Sequence, residues 1–193
     1  MGSMLDMSAE RPVTLRDGTR ILIRPVRPED REALRESFNR LSAESRYRRF
    51  LAPMAHLTES QLTYLTRVDH HDHEALVALT EEDGEGLGIA RFVRLADRDA
   101  AEVAVAVADH VHGKGLGTVL LAHLLARARQ EGVERFTATV LAGNRASVEV
   151  LSALGRTSVG PPQDGAVELT IDLLDEPDPD AALAAILRAA AAS

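Results

Sequence analysis

The sequence predicts a mixed α+β domain in which an antiparallel meander meets a strand–loop–helix–strand unit. Three observations carry that prediction. Val103-Ala-Val-Ala-Val107 alternates with the period of two that marks a strand. Gly113, Gly115 and Gly117 then lead into an apolar-periodic helix that runs to Gln130. Upstream, Val13–Ile23 reads as two short strands around Asp17-Gly18, a dipeptide typical of tight hairpins.

The remaining elements follow in order. Arg24-Pro-Val-Arg-Pro breaks the chain, and a helix starting near Glu29-Asp30 runs to Leu41. Ser42–Phe50 reads as a second short helix carrying Arg46, Arg48 and Arg49. Thr58-x-x-Gln61 is a capping-box pattern that opens a helix over Glu59–Val68. Ala75–Thr80, Leu87–Leu95 and Ala101–Val107 read as strands, with an acidic turn at Glu81–Glu85. After the glycine loop and helix Leu116–Gln130 come strand Phe136–Leu141, helix Ser147–Leu154 and a last strand, Val167–Leu173. Asp175-Glu-Pro-Asp-Pro-Asp is a proline-punctuated break, followed by an alanine-rich helix with Leu183, Ile186 and Leu187 on one face. That helix can pack on the domain, pair with another chain or fray. The boundaries give a disordered or tag-derived N-terminus over residues 1–12, one domain over 13–174, and a charged break with a helix or tail over 175–193.

Composition excludes several function classes. The 193 residues, 45% hydrophobic and 27% charged, suffice to bury one core. The absence of cysteine excludes disulfides, a thiolate nucleophile and thiolate-bound zinc. No apolar run reaches the length of a membrane span and no signal-peptide pattern opens the sequence, so the expectation is a cytoplasmic protein with no membrane partner. A net charge of −8 argues against nucleic acid, which needs a clustered basic surface. Of 22 basic residues only Lys114 is a lysine. It lies between the loop glycines, where an ammonium can meet phosphate or remain solvated.

The glycine loop is the chemical centre of the sequence. The first amides of the following helix lack intrahelical partners, and the helix dipole adds partial positive charge, so the loop suits a phosphate or pyrophosphate. A Walker loop needs Ser or Thr directly after the lysine, and that position is Gly115. The dinucleotide fingerprint fails on its final spacing. A plain turn remains possible, but three alternating glycines are costly in chain entropy and favour an anion site. His70-His-Asp-His73-Glu74 reads as a polar loop rather than a zinc site, because no helical i, i+4 His pair or thiolate accompanies it.

His112-Gly-Lys-Gly115-Leu-Gly117 resembles the Gln/Arg-x-x-Gly-x-Gly/Ala motif of the GCN5-related N-acetyltransferase (GNAT) superfamily, with His112 replacing Gln or Arg. Asn144-Arg-Ala-Ser147 through Leu154-Gly155 resembles the family's later motif, with Arg156 where Phe is common. The resemblance covers roughly Val13 to Leu173. It implies the GNAT fold: a mixed, mostly antiparallel central sheet with splayed parallel strands, flanked by helices. It also implies acetyl-CoA, with pantetheine against the main chain of Val105 and Val107. The pyrophosphate would lie on the amides of His112, Gly113, Lys114, Gly115, Leu116, Gly117 and Thr118, with Asn144 and Ser147 lining the far side. Asn144 also fits a helix N-cap.

Acyl transfer needs a neutral amine, and a lysine ammonium titrates at about 10.4, so a general base is useful. Glu102 is the candidate, sharing a strand face with Ala104 and Ala106 that leaves room for substrate. Spacing alone equally fits a solvated edge carboxylate; the weight comes from the family, many of whose members place an acidic base on this strand. The family's usual general-acid tyrosine falls on Leu151, leaving Ser147, Asp109 and His110 as unranked substitutes. Leu41–Phe50, Asp69–Leu76 and Ala101–Asp109 are similar to bacterial protein lysine acetyltransferases that modify acyl-CoA synthetases, which implies a protein lysine acceptor. A small-molecule amine or amino-acid acetyltransferase and a non-catalytic acyl-CoA sensor stay open, as does the choice between monomer and homodimer.

Overall fold

The computed structural model describes residues 10–176 and 178–191; the expected N-terminal segment lies mostly outside them. The strands are β1 (Arg11–Thr14), β2 (Arg20–Pro25), β3 (His73–Thr80), β4 (Gly86–Arg94), β5 (Ala100–Val107), β6 (Arg135–Leu141), β7 (Gly155–Val159) and β8 (Ala166–Leu173). They form one eight-stranded sheet in the order β1-β2-β3-β4-β5-β6-β8-β7. The helices are α1 (Arg31–Arg40), α2 (Ala43–Phe50), α3 (Glu59–Thr66), α4 (Leu116–Gln130), α5 (Arg145–Ser152) and α6 (Pro179–Ala191).

Every strand pair is antiparallel except β5–β6. A parallel pair needs a crossover, which α4 supplies. The parallel ladder is short: Ala100, Ala101 and Glu102 pair with Arg135, Phe136 and Thr137, and beyond Glu102 the strands part. This is the splay that the family resemblance implied.

Side-chain alternation assigns each face. Ala101 and Val103 point to the face holding Ile21, Ile23, Leu76, Phe92 and Phe136, which α4 covers with Leu120, Leu121, Leu124 and Leu125, all fully buried. Each such leucine contributes on the order of 1.5–3 kcal/mol of burial. The opposite face carries Glu102, Ala104, Ala106, Ile89 and Arg91, and α1 to α3 lie over it. There Phe38, Leu57 and Leu62 form a separate small core.

Two details differ from the sequence expectations, and one open choice is decided. The first strand begins at Arg11, within the stretch assigned to the N-terminus. β7 has no counterpart, because Arg156, Ser158 and Val159 are exposed on an edge strand and show no apolar alternation. Of the three readings left open for the alanine-rich helix, the structure shows packing on the domain: Ala182 and Ile186 are fully buried in the main core.

Candidate functional site

The site begins at the fork between β5 and β6. Ala108 N–H donates to Leu87 O at 2.8 Å, on the β4 side. Successive residues of a strand direct their main-chain groups to opposite edges, so Val105 and Val107 present theirs to the gap. The Val107 carbonyl is engaged by His112, whose Nε2 lies 2.9 Å from it. The ring therefore closes the far end of the open edge and leaves Val105 and the Val107 N–H facing the gap.

The glycine loop follows. Gly113 (φ +77°) and Gly115 (φ +87°) occupy left-handed backbone that residues with a Cβ adopt only at a cost. Gly115 caps α4, and the first helical bond is Val119 N–H to Gly115 O at 3.0 Å. The amides of Leu116, Gly117 and Thr118 thus have no helical acceptor and sit at the positive end of a fifteen-residue helix. Two of the seven expected amides are not available. His112 N–H donates to Asp109 O at 3.2 Å and Lys114 N–H to Val111 O at 3.4 Å, because the chain turns tightly before the loop. The Lys114 side chain also differs from expectation: its Nζ pairs with Asp17 at 2.8 Å and does not line the cleft. Lys114 holds Asp17 well below the usual carboxylate range.

A cleft of about 410 Å³, partly open to solvent, connects these pieces. Val105, Val107, His112, Gly113, Gly115, Leu116, Gly117, Thr118, Asn144 and Ser147 all line it, while Lys114 and Glu102 do not. Sequence reasoning missed Arg16, Ser45, Arg48 and Arg49, which also line it. Arg16 belongs to the first hairpin turn, and its Nε lies 3.6 Å from the point a Gly115 Cβ would occupy, so it is the cation beside the loop. Nothing in the sequence marks that approach, since it joins residues about one hundred positions apart. The cradle fits a CoA pyrophosphate: free amides, a helix N-terminus and an arginine face a cleft that opens along an unpaired strand edge.

Asn144 caps α5, with Oδ1 accepting from Ser147 N–H at 3.3 Å and Nδ2 donating to Ser147 Oγ at 2.8 Å. Leu151, where the family places tyrosine, is buried in the main core. Of its three substitutes, Ser147 alone lines the cleft. Burial works to raise Asp109, but hydrogen bonds from Ser45 and Ser42 prevail and hold it below the usual carboxylate range, so it has no proton to give.

Glu102 is exposed, at the last rung before the fork. Its face also carries His73 and Arg91, and Arg49 of α2 approaches from above. Burial and the Arg91 charge push His73 down to about 4, so its ring is neutral. The three loop histidines have separate partners: His70 Nδ1 meets Glu74 at 2.7 Å, His71 meets Glu131, and His73 meets Arg91. Among the described residues no group of His, Asp and Glu is placed to hold a metal, and no helix is long and apolar enough to cross a membrane.

Comparison with known proteins agrees with this geometry. The family model described as "Acetyltransferase (GNAT) domain" matches residues 20–157. An acetyltransferase of Pseudomonas aeruginosa is 39% identical over 153 residues, covering 78% of this chain and 82% of the relative. The acetyltransferase Pat of Mycolicibacterium smegmatis is 37% identical over 145 residues, 75% of this chain but only 43% of that longer protein. Among solved structures, the GNAT domain of S. lividans PAT aligns with a TM-score of 0.79 at 33% identity, covering 89% of this chain and 100% of that one. The Salmonella typhimurium acetyltransferase yncA, solved with its cofactor acetyl-CoA, aligns with a TM-score of 0.65 at 27% identity, covering 83% and 98%.

Proposed function

The chain belongs to the GNAT acetyltransferase family, whose acyl donor is acetyl-CoA, and from that premise we propose that it acetylates a lysine side chain of a protein, an acyl-CoA synthetase being the first candidate. One observation carries the reading: the exposed Glu102 carboxylate stands at the rung where β5 and β6 part. An amine carried by a large partner reaches the base and the open strand edge together. The resemblance of Leu41–Phe50, Asp69–Leu76 and Ala101–Asp109 to bacterial protein lysine acetyltransferases supports a protein acceptor.

The residues divide the work. Acetyl-CoA supplies an activated acyl group. The amides of Gly113, Gly115, Leu116, Gly117 and Thr118, with Arg16, hold its diphosphate. Val105 and Val107 position the pantetheine arm as an added strand, and a main-chain N–H of this edge polarises the thioester carbonyl. Glu102 takes the proton that the amine sheds as the N–C bond forms and the C–S bond breaks. Ser147, anchored by Asn144, offers its hydroxyl to the departing thiolate.

Thiol release from acetyl-CoA, measured with acyl-CoA synthetases, polyamines, amino acids and no acceptor, tests this proposal. Release that depends on a synthetase, with a mass gain of one acetyl group on a lysine, supports it. Turnover with small amines alone would replace it with a small-molecule acceptor. Tight acetyl-CoA binding without turnover on any acceptor would leave only a sensor.

A further inference from the structure

Several buried and half-buried arginines among the described residues are matched by acceptors. Arg24 is held by Asp30, Arg94 by Asp72, and Arg127 by Glu74 and Glu131. Arg46 instead directs its donors to four main-chain carbonyls. Arg49 and Arg91 depart from this pattern. Arg91 is 4% exposed, yet no carboxylate of the described residues lies within ion-pair distance. Its guanidinium donates to the neutral ring of His73 and sits 4.8 Å from the centroid of Tyr64. Arg49 has no hydrogen-bond acceptor among the described residues and stacks 4.9 Å from the Phe50 ring. Glu102 acts on both through space without an ion pair to either. A buried cation such as Arg91 without a contacting anion is costly, and the half-buried Arg49 charge beside it adds to that cost.

Their position gives the cost a purpose. Both line a cavity of about 80 Å³ between the sheet and α1 to α3, whose other walls include Leu65, Val77, Ile89 and Ala106. Arg49, with Ala106 and Val107, also lines the donor cleft, so the cavity opens beside the acyl-transfer point. A single water needs about 10–15 Å³ of such space, so the cavity holds several and admits a carboxylate with a methylene or two. We propose that Arg49 and Arg91 form a carboxylate-binding subsite, filled by an anion that one of the two substrates carries. The sources are an acidic residue beside the acceptor lysine and the terminal carboxylate of a dicarboxylyl donor such as succinyl-CoA. The planar forks of two guanidiniums match a carboxylate's paired oxygens, and the apolar walls match its methylenes. Only the acceptor arm rests on the lysine reading given above.

Two arms separate the sources. In the first, acetyl-CoA is used with lysine peptides that differ only by Glu or Gln next to the lysine. In the second, titration calorimetry without acceptor compares succinyl-CoA with propionyl-CoA. One arm is expected to favour the carboxylate by about tenfold or more, the range of hydrogen bonds to a charged group. Arg91→Met is expected to reduce that preference below about threefold without lowering the melting temperature, since an unmatched buried charge is replaced by an apolar chain of similar length. Arg49→Met provides the same comparison if Arg91→Met fails to fold. Equal use of both members in both arms, or a preference that survives both substitutions, overturns the subsite. Loss of all peptide acetylation would reject the lysine reading alone, because the calorimetric arm needs no acceptor.

Discussion

Gly115→Ala tests the loop with a magnitude taken from its geometry. At φ +87° an L-residue carries roughly 1–2 kcal/mol of left-handed strain. The added Cβ would lie 3.6 Å from Arg16 Nε and 3.8 Å from Arg16 Cδ, ordinary contact distances, so backbone strain is the whole effect. If the loop holds its shape, the protein loses that energy in stability, about 2–8 °C of melting temperature for a domain of this size. If the loop relaxes, the cradle must be rebuilt on binding, and acetyl-CoA affinity falls by about 5–30-fold. Calorimetric titration and thermal melting together account for the energy. Gly117→Ala is the control: its Cβ would meet only Val107 Cγ2 at 3.8 Å inside α4, so the melting temperature holds or rises. Gly115→Ala with affinity within twofold and an unchanged melting temperature would refute the assignment of the loop geometry.

Three further predictions rest on packing and titration. Gly155→Ala puts a Cβ 1.8 Å from Asp172 O, where β7 and β8 meet, so this variant is expected to express poorly or melt far below wild type. Asp30→Asn removes the bidentate partner of Arg24 (2.6 and 2.7 Å) and is expected to cost about 2 kcal/mol in denaturant unfolding, less than a fully buried pair. Burial works against the Asp30 carboxylate, but Arg24 prevails and lowers it, so this contribution is present above about pH 4 and lost on further acidification. His123, buried in α4 near Arg11, is pushed down to about 4. The unfolded chain binds its proton between about pH 6.5 and 4 while the folded chain does not, so acidification through that window costs up to about 3 kcal/mol. Melting curves across the window should slope less in His123→Gln.

Much of this site is local in sequence and therefore legible. Alternation at Val103–Val107 fixes the strand faces, and the glycines fix the helix start. Asn144 supplies both a cap and a motif residue. What escaped is non-local. Arg16 reaches the loop only because β1 and β2 carry their turn across to α4, and Lys114 is drawn off by Asp17 in that same turn. The amides of His112 and Lys114 are consumed by a tight turn that composition does not reveal. Arg49 and Arg91 come from α2 and β4 and become neighbours only when the helices fold over the sheet. The splay itself was legible through family resemblance, since no periodicity says where a parallel ladder stops.

The central claim is that Glu102 is the base at the fork, and the pH–rate profile of Glu102→Gln tests it most directly. With a synthetase acceptor at pH 7, the account predicts that kcat/KM falls by about a hundredfold or more. Acetyl-CoA affinity should stay within twofold, because Glu102 lies outside the donor cleft. Activity should return as pH approaches the lysine's own titration near 10.4. A variant that keeps more than a third of wild-type kcat/KM at pH 7 would contradict the account.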